Sequence, residues 1–276
     1  MLPEVSEFKS RYGVLRFRDS GGEGTPLVLL HGSSYSMNVF SHLFSGELGR
    51  AFRLIALDLL GHGLSDDASD PVRVYSVRGF SDCVEDLASH LKLSSFAVFG
   101  WSLGGHVAIE VAARGLPVTG LVLSGTPPVS AGFLAALSGF KVSGGLALAS
   151  KRHFDLRDAG KFESLCIGQG SRLYISDLMR ADGRVRQMFG KSLMHGECHD
   201  QKRFVETTSI PVCLLNGSLD PFVRPSYIAK IKGRYPGFTP ITIQDAGHAV
   251  FHEKPAIFSR ILIDFLNPRV ASFRAA

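Results

Sequence analysis

Six short runs of almost wholly apolar residues, each closed by a turn residue, constrain this chain more than any other feature. Leu27-Val28-Leu29-Leu30 ends at His31-Gly32, Leu54-Ile55-Ala56-Leu57 at Asp58, and Phe96-Ala97-Val98-Phe99 at Gly100. Leu121-Val122-Leu123 ends at Ser124-Gly125, Val212-Cys213-Leu214-Leu215 at Asn216-Gly217, and Ile241-Thr242-Ile243 near Asp245. A strand with one wet face alternates apolar and polar residues. A strand buried on both faces does not, and a parallel sheet covered by helices supplies that burial. Helical spacings fill the gaps: Val77, Phe80, Val84, Leu87, Ala88 and Leu91 in one, Ile257, Ile261 and Phe265 in another. The alternation predicts an α/β fold with a mostly parallel, doubly wound sheet and right-handed crossovers. At the front, Val14 and Phe17 alternate with Arg16 and Arg18, which predicts an antiparallel hairpin.

The rhythm stops between residues 127 and 208. That stretch has no clear strand run, and a structureless loop of its length is foreign to a compact domain. The expectation is a core domain over 1–126 and 209–276, with 127–208 as a helical cap over the strand ends. The cap carries 12 Lys/Arg and 8 Asp/Glu, so +4 of the chain's net +5 sits there. Lys151, Arg152, Arg157, Arg180, Arg184 and Arg186 are interleaved with acids and apolar residues, the pattern of a solvated helical surface and not of a nucleic-acid groove.

At 45% apolar and 20% charged residues, the chain is neither disordered, collagenous nor coiled coil. Its four cysteines, Cys83, Cys166, Cys198 and Cys213, form no Cys-x-x-Cys pair, which argues against a zinc ribbon, a thioredoxin-type site and a disulfide scaffold. Reduced thiols in a cytoplasmic protein are the expectation. The opening Met1-Leu2-Pro3-Glu4-Val5-Ser6-Glu7 has no apolar core of a secretory signal. The alanine-rich stretch Ala131 to Ser150 is broken by Gly139, Lys141, Gly144 and Gly145, so no membrane span is expected.

Gly100-Trp101-Ser102-Leu103-Gly104 matches Gly-x-Ser-x-Gly, a weak pattern in isolation. Its setting strengthens it, because a strand run precedes it and the helical spacing Val107, Ala108, Val111, Ala112 follows. A serine forced into that sharp turn exposes its hydroxyl at a helix N-terminus, where partial positive charge favours an oxyanion. Side chains at the flanking glycines would strike the neighbouring strand and helix. A serine hydroxyl needs a base, and His248, in Asp245-Ala246-Gly247-His248 before the last helix, is best placed of ten histidines. The base needs a carboxylate to fix its tautomer, and Asp220 lies just past the preceding strand. The chain order Ser102, Asp220, His248 is that of an α/β-hydrolase triad. Two N–H donors complete the expectation for the oxyanion: Leu103, just after the nucleophile, and Ser33, in the loop His31-Gly32-Ser33-Ser34. Ser33 and Trp101 are also candidate substrate contacts, although Trp101 reads equally well as core.

Other clusters read as structural. His195-Gly196-Glu197-Cys198-His199 has its glutamate misplaced for a zinc helix. Gly61-His62-Gly63 reads as a tight turn, with His62 an alternative base, and His106 as packing behind Ser102. No metal or other cofactor is expected. The stretch Phe133, Leu134, Leu137, Phe140 is a candidate acyl-chain wall.

His31-Gly32, Asp58-Leu59-Leu60-Gly61-His62-Gly63, Gly100 to Gly105 and Ala246-Gly247-His248 together resemble the α/β-hydrolase fold superfamily, over essentially the whole chain outside the insertion. Within it, Val98 to His106, Gly125-Thr126-Pro127-Pro128-Val129, Asp220-Pro221-Phe222-Val223 and Ala181-Asp182-Gly183-Arg184 are similar to metal-independent N-acylhomoserine lactonases of the AidH type. The chain departs from them in having Asp220 in place of a glutamate and Ser33 in place of an asparagine. The resemblance implies a triad of Ser102, Asp220 and His248, an oxyanion hole at Ser33 and Leu103, and ring-opening of an acylhomoserine lactone (quorum quenching). A general carboxylesterase, a C–C bond hydrolase with the same triad, and a ligand-binding receptor on this scaffold are the alternatives. The expected partner is a small-molecule ester or lactone, with no nucleic acid and no membrane; oligomeric state is left open.

Overall fold

A computed structural model describes residues 2–235 and 238–267. Its frame is one eight-stranded sheet of β1 (Val5–Lys9), β2 (Val14–Asp19), β3 (Pro26–Leu30), β4 (Arg53–Asp58), β5 (Phe96–Trp101), β6 (Val118–Ser124), β7 (Val212–Gly217) and β8 (Ile241–Ile243), in the order β1-β2-β4-β3-β5-β6-β7-β8. Strands β3 to β8 run parallel, and the hairpin β1-β2 joins β4 antiparallel. All six apolar runs and the leading hairpin stand where the sequence places them.

The runs are unbroken because both faces are covered. Val28, Leu30, Val98 and Leu121 enter the core on one side, while Leu27, Leu29, Phe99 and Val122 enter it on the other. Each such side chain contributes about 1.5–3 kcal/mol by leaving water. Helix α1 (Val77–His90) starts where the Ser76 hydroxyl accepts the Gly79 N–H at 2.9 Å, and it buries Val77, Phe80, Val84 and Leu87. Helix α2 (Leu103–Ala113) is buried over nearly its whole length.

Six helices and no strand occupy residues 127–208: α3 (Phe133–Ser138), α4 (Gly144–Ala149), α5 (Leu156–Cys166), α6 (Ile175–Arg180), α7 (Arg184–His195) and α8 (Gln201–Thr207). Helix α9 (Pro255–Leu266) follows the last strand. Among the described residues no helix is long and apolar enough to cross a membrane; the stretch Ala131 to Ser150 is divided between α3 and α4. Two expectations are corrected. Most charges in this segment are at least partly exposed, but Arg186 is only 4% exposed and Glu163 is fully buried. Leu134 points outward at 80% exposure and is no part of an acyl wall.

Chain winding reverses between β3 and β5, which lie side by side although β4 sits beyond β3. At such a switch point the loops after the two strands diverge and leave a crevice at the carboxyl edge of the sheet. The loop with Ser33 and the turn with Ser102 flank it.

Three histidines are buried without charge. His31 donates from Nδ1 to the Gly32 carbonyl at 2.8 Å and accepts the Leu59 N–H on Nε2 at 3.1 Å. Burial lowers it from 6.5 to about 4, an effect its bond to Gly32 only partly offsets. His106 is likewise lowered by burial to about 4, and His62, packed edge-on against His31 at 4.8 Å, falls well below its usual value. These groups regain 6.5 on unfolding, so protons favour the unfolded chain once pH drops below that value. Asp58 acts oppositely: burial lifts its carboxyl from 3.8 to about 6, which returns stability as pH falls from there. Three groups outweigh one, each unmatched proton being worth about 1.4 kcal/mol per pH unit. Urea-unfolding midpoints are therefore expected to fall between pH 6.5 and about 4.5 and to stay level above 7; a midpoint that rises on acidification contradicts the burial of these rings uncharged.

Candidate active site

Strand β5 passes into α2 through one residue. Ser102 sits at φ 54°, ψ −117°, a backbone region that costs a non-glycine residue roughly 1–3 kcal/mol and persists only where neighbours enforce it. Its N–H donates to the Ser124 carbonyl at 2.9 Å, and its carbonyl accepts the Gly105 N–H at 3.0 Å and the Thr126 hydroxyl at 2.9 Å. The flanking glycines are steric necessities. A Cβ on Gly104 would lie 2.2 Å from the Leu30 carbonyl oxygen of β3, and one on Gly100 2.4 Å from the Gly104 carbonyl oxygen.

His248 follows β8 on its loop and donates from Nδ1 to Asp220 Oδ2 at 2.8 Å. An ionised carboxylate only accepts, so the proton belongs on Nδ1 and the neutral ring keeps its lone pair on Nε2. Asp220 Oδ1 takes the N–H groups of Phe222 and Val223 at 2.8 and 3.0 Å. Burial by itself raises the Asp220 carboxyl. The attraction of the His248 ring when it is protonated and its hydrogen bond, with those two N–H groups, outweigh it and hold the group below its usual 3.8.

The expected residues converge. Ser33, Trp101, Ser102 and His248 line one cavity of about 80 Å³, closed by Tyr35, Phe162, Cys166 and Phe222. A second cavity of about 520 Å³ opens beside it and shares Ser33 and Ser102; Leu103, His106, Phe133, Leu137 and Phe189 are in its wall. The Ser102 hydroxyl makes no hydrogen bond to protein among the described residues. Neither do the N–H groups of Ser33 and Leu103 find an acceptor there, and the buried Ser33 hydroxyl is also unpartnered.

Trp101 resolves to both readings. Its ring is fully buried against Gly32, where a Cβ would come within 2.9 Å, yet it borders the small cavity. Its indole N–H donates to the His248 carbonyl at 3.0 Å and so steadies the loop that carries the imidazole. Gly125, at φ 61°, leaves room for the His248 ring, whose Cε1 would stand 2.6 Å from a Cβ. Sequence reasoning assigned no role to Gly125, Tyr35, Phe222, Phe162 or Cys166. The spacing of Ala159, Phe162 and Cys166, one face of α5, was the available signal for the last two.

The remaining clusters stay apart. His62 is fully buried and lines neither cavity. His106 is packed behind Ser102, as expected, with Nδ1 2.7 Å from Gln201 Oε1, and it also reaches the larger cavity. His199 pairs with the buried Glu110 at 3.1 Å, and no group of three potential metal ligands occurs among the described residues.

The family model described as "Alpha/beta hydrolase family" matches residues 27–261. The crystal structure of the N-acyl homoserine lactonase AidH complexed with N-butanoyl homoserine superimposes with a TM-score of 0.91 at 35% identity, covering 96% of this chain and 98% of that one. The AB hydrolase superfamily protein YisY of Bacillus subtilis is 24% identical over 94% of this chain and 98% of its own length. A pimeloyl-[acyl-carrier protein] methyl ester esterase of Yersinia pestis is 27% identical over 88% of this chain and 94% of its own. The likeness to AidH read from the motifs thus extends through the fold, and the chain belongs to the α/β hydrolase family.

Proposed function

We propose that this protein is a serine hydrolase that opens the ring of N-acylhomoserine lactones. The observation that carries the hydrolytic reading is the buried His248–Asp220 pair at 2.8 Å, set in the same small cavity as a serine on a strained strand-to-helix turn. The lactone assignment draws support from the likeness to a lactonase over nearly the whole chain and from the paired cavities meeting at Ser102.

In this reading Ser102 is the nucleophile, His248 the base and Asp220 the group that orients the base. His248 Nε2 takes the Ser102 proton as Oγ attacks the ring carbonyl carbon. The oxyanion receives the N–H groups of Ser33 and Leu103, each such donor contributing about 10²–10³ in rate. Collapse breaks the ring C–O bond, and the departing alkoxide takes the proton held on His248. Water, deprotonated by the same nitrogen, then attacks the Ser102 ester, freeing the serine and an acylhomoserine carboxylate. The lactone ring occupies the smaller cavity. The acyl chain lies along Phe133, Leu137, Phe140 and Leu146 in the larger one, whose about 520 Å³ is within the usual range for ligand sites. Residues 127–208 then act as a cap that sets substrate choice, and no metal takes part. The four free thiols suit a reducing, cytoplasmic setting.

A pH-stat comparison of acylhomoserine lactones with p-nitrophenyl esters tests this directly. Lactone turnover is expected to exceed ester turnover, and Ser102→Ala to lose at least ~10³-fold while melting like wild type. Simple esters reacting faster than every lactone would make the protein a general carboxylesterase. Rapid quench with intact-mass analysis is expected to trap an acyl adduct on Ser102; hydrolysis surviving in Ser102→Ala would mean direct attack by water. Trp101→Phe removes the N–H that holds the His248 carbonyl and trims the buried indole to a smaller phenyl ring. It is expected to lower kcat by at least about 3–10-fold, the worth of one hydrogen bond, and to lower the melting temperature through the void left in the core.

A further inference from the structure

Arg186 is a buried cation with no anionic partner. It sits in α7 at 4% exposure, and no carboxylate lies within ion-pair distance of it among the described residues. Its guanidinium instead donates from Nε to the Lys151 carbonyl at 2.5 Å, from Nη2 to the Arg152 carbonyl at 2.6 Å, and from Nη1 to the Ser34 hydroxyl at 2.7 Å. Its flat face lies 3.8 Å from the centre of the Phe154 ring. Burial lowers its pKa to about 10, an effect the more distant Asp182 and Asp158 only partly offset, so it remains charged at neutral pH.

The bond to Ser34 reaches the most demanding loop of the core. Gly32, Ser33, Ser34 and Tyr35 form a turn closed by the Tyr35 N–H on the Gly32 carbonyl at 3.2 Å. Ser34, its third residue, stands at φ 68°, a place such turns ordinarily give to glycine or asparagine. Ser33 precedes it in the same closed turn, so a turn that opens at Ser34 loosens the backbone carrying the Ser33 N–H, in a residue that lines both cavities. The Ser34 hydroxyl, 1% exposed as a residue, is gripped by Arg186, which also borders the larger cavity.

We propose that Arg186 is a positioning residue: it holds Ser34 in the left-handed conformation and thereby aims the Ser33 N–H at the reacting carbonyl, while its other two bonds tie the chain after α4 to the same point. Catalytic geometry is thus conditional on the helical segment being seated. The rate consequence rests on the hydrolase reading above; the turn itself does not. Lysine cannot replace this fork, since it lacks the planar geometry that spans three acceptors.

The test uses Ser34→Ala, Ser34→Gly, Arg186→Met and the double variant Ser34→Gly/Arg186→Met. Each is followed by kcat and KM on p-nitrophenyl acetate and by hydrogen exchange of the Tyr35 amide. Ser34→Ala keeps the unfavourable φ and loses the acceptor, so it should match Arg186→Met: kcat down 10-fold or more, KM within about 3-fold, and Tyr35 exchange at least 10-fold faster. Glycine adopts the conformation unaided. Ser34→Gly should therefore hold most of the wild-type kcat, and the double variant should recover most of what Arg186→Met loses. An equal loss from Arg186→Met on the serine and glycine backgrounds overturns the proposal, as does Ser34→Ala with wild-type kcat and exchange. If Arg186→Met does not fold, Arg186→Lys, alone and combined with Ser34→Gly, takes its place with the same expected outcomes. If wild type hydrolyses no ester, the hydrolase reading fails by itself, and the exchange rates still judge the turn.

Discussion

The nearness of α2 to β3, a helix start pressed against the last carbonyl of a neighbouring strand, is the constraint that the rest of the molecule obeys. Ser102 adopts its unusual backbone angles because β5 must end and α2 must begin within one residue. Glycine at 104 permits the contact with Leu30, and glycine at 100 permits the contact with α2. Once that corner is fixed, Ser102 borders both cavities and Leu103 borders the larger one. The other contributors arrive by longer routes, from the ends of β3, β7 and β8, but each ends at the same rim because parallel strands all finish on one edge.

What surrounds the rim is dry, and charge is handled accordingly. Asp220 spends both oxygens on donors, and His31 spends both ring nitrogens on backbone partners. Glu163 turns Oε1 on the Leu173 and Tyr174 N–H groups and the Ser171 hydroxyl, pinning the loop that leads into α6, while its buried Oε2 has no partner among the described residues. An unpaired polar group in such surroundings costs more than a formed bond returns. The unpartnered Ser33 hydroxyl and the open N–H groups beside it are therefore the places where a ligand has most to offer.

The fold was legible because its signal is physical and local. A strand covered on both faces cannot hide its composition, and a glycine that prevents a backbone collision cannot be exchanged without consequence. The turn at Ser102, and the placing of Asp220 and His248 just past their strands, were readable for the same reason. What resisted reading depended on contacts between distant segments. Arg186 looks like its neighbours Arg184 and Arg180 in sequence, and only the packing of α7 against the Ser34 turn separates a buried cation from solvated ones. Leu134 and Leu137 are equally apolar; which of them faces the cavity depends on how α3 is docked. Trp101 was ambiguous because a large ring beside a cavity packs and lines at once.

Strands β6 and β7 are adjacent and parallel, so the 127–208 segment is an enlarged version of the crossover that any such pair needs. Its final helix, α8, performs the ordinary return, docked on α2 through Gln201 and His106. The framework therefore behaves like a socket with two fixed terminals, and what is plugged between them can be rewritten over evolutionary time without renegotiating strand register. Novelty in recognition is cheap in this architecture wherever the replacement spares the few points at which the plug grips the frame.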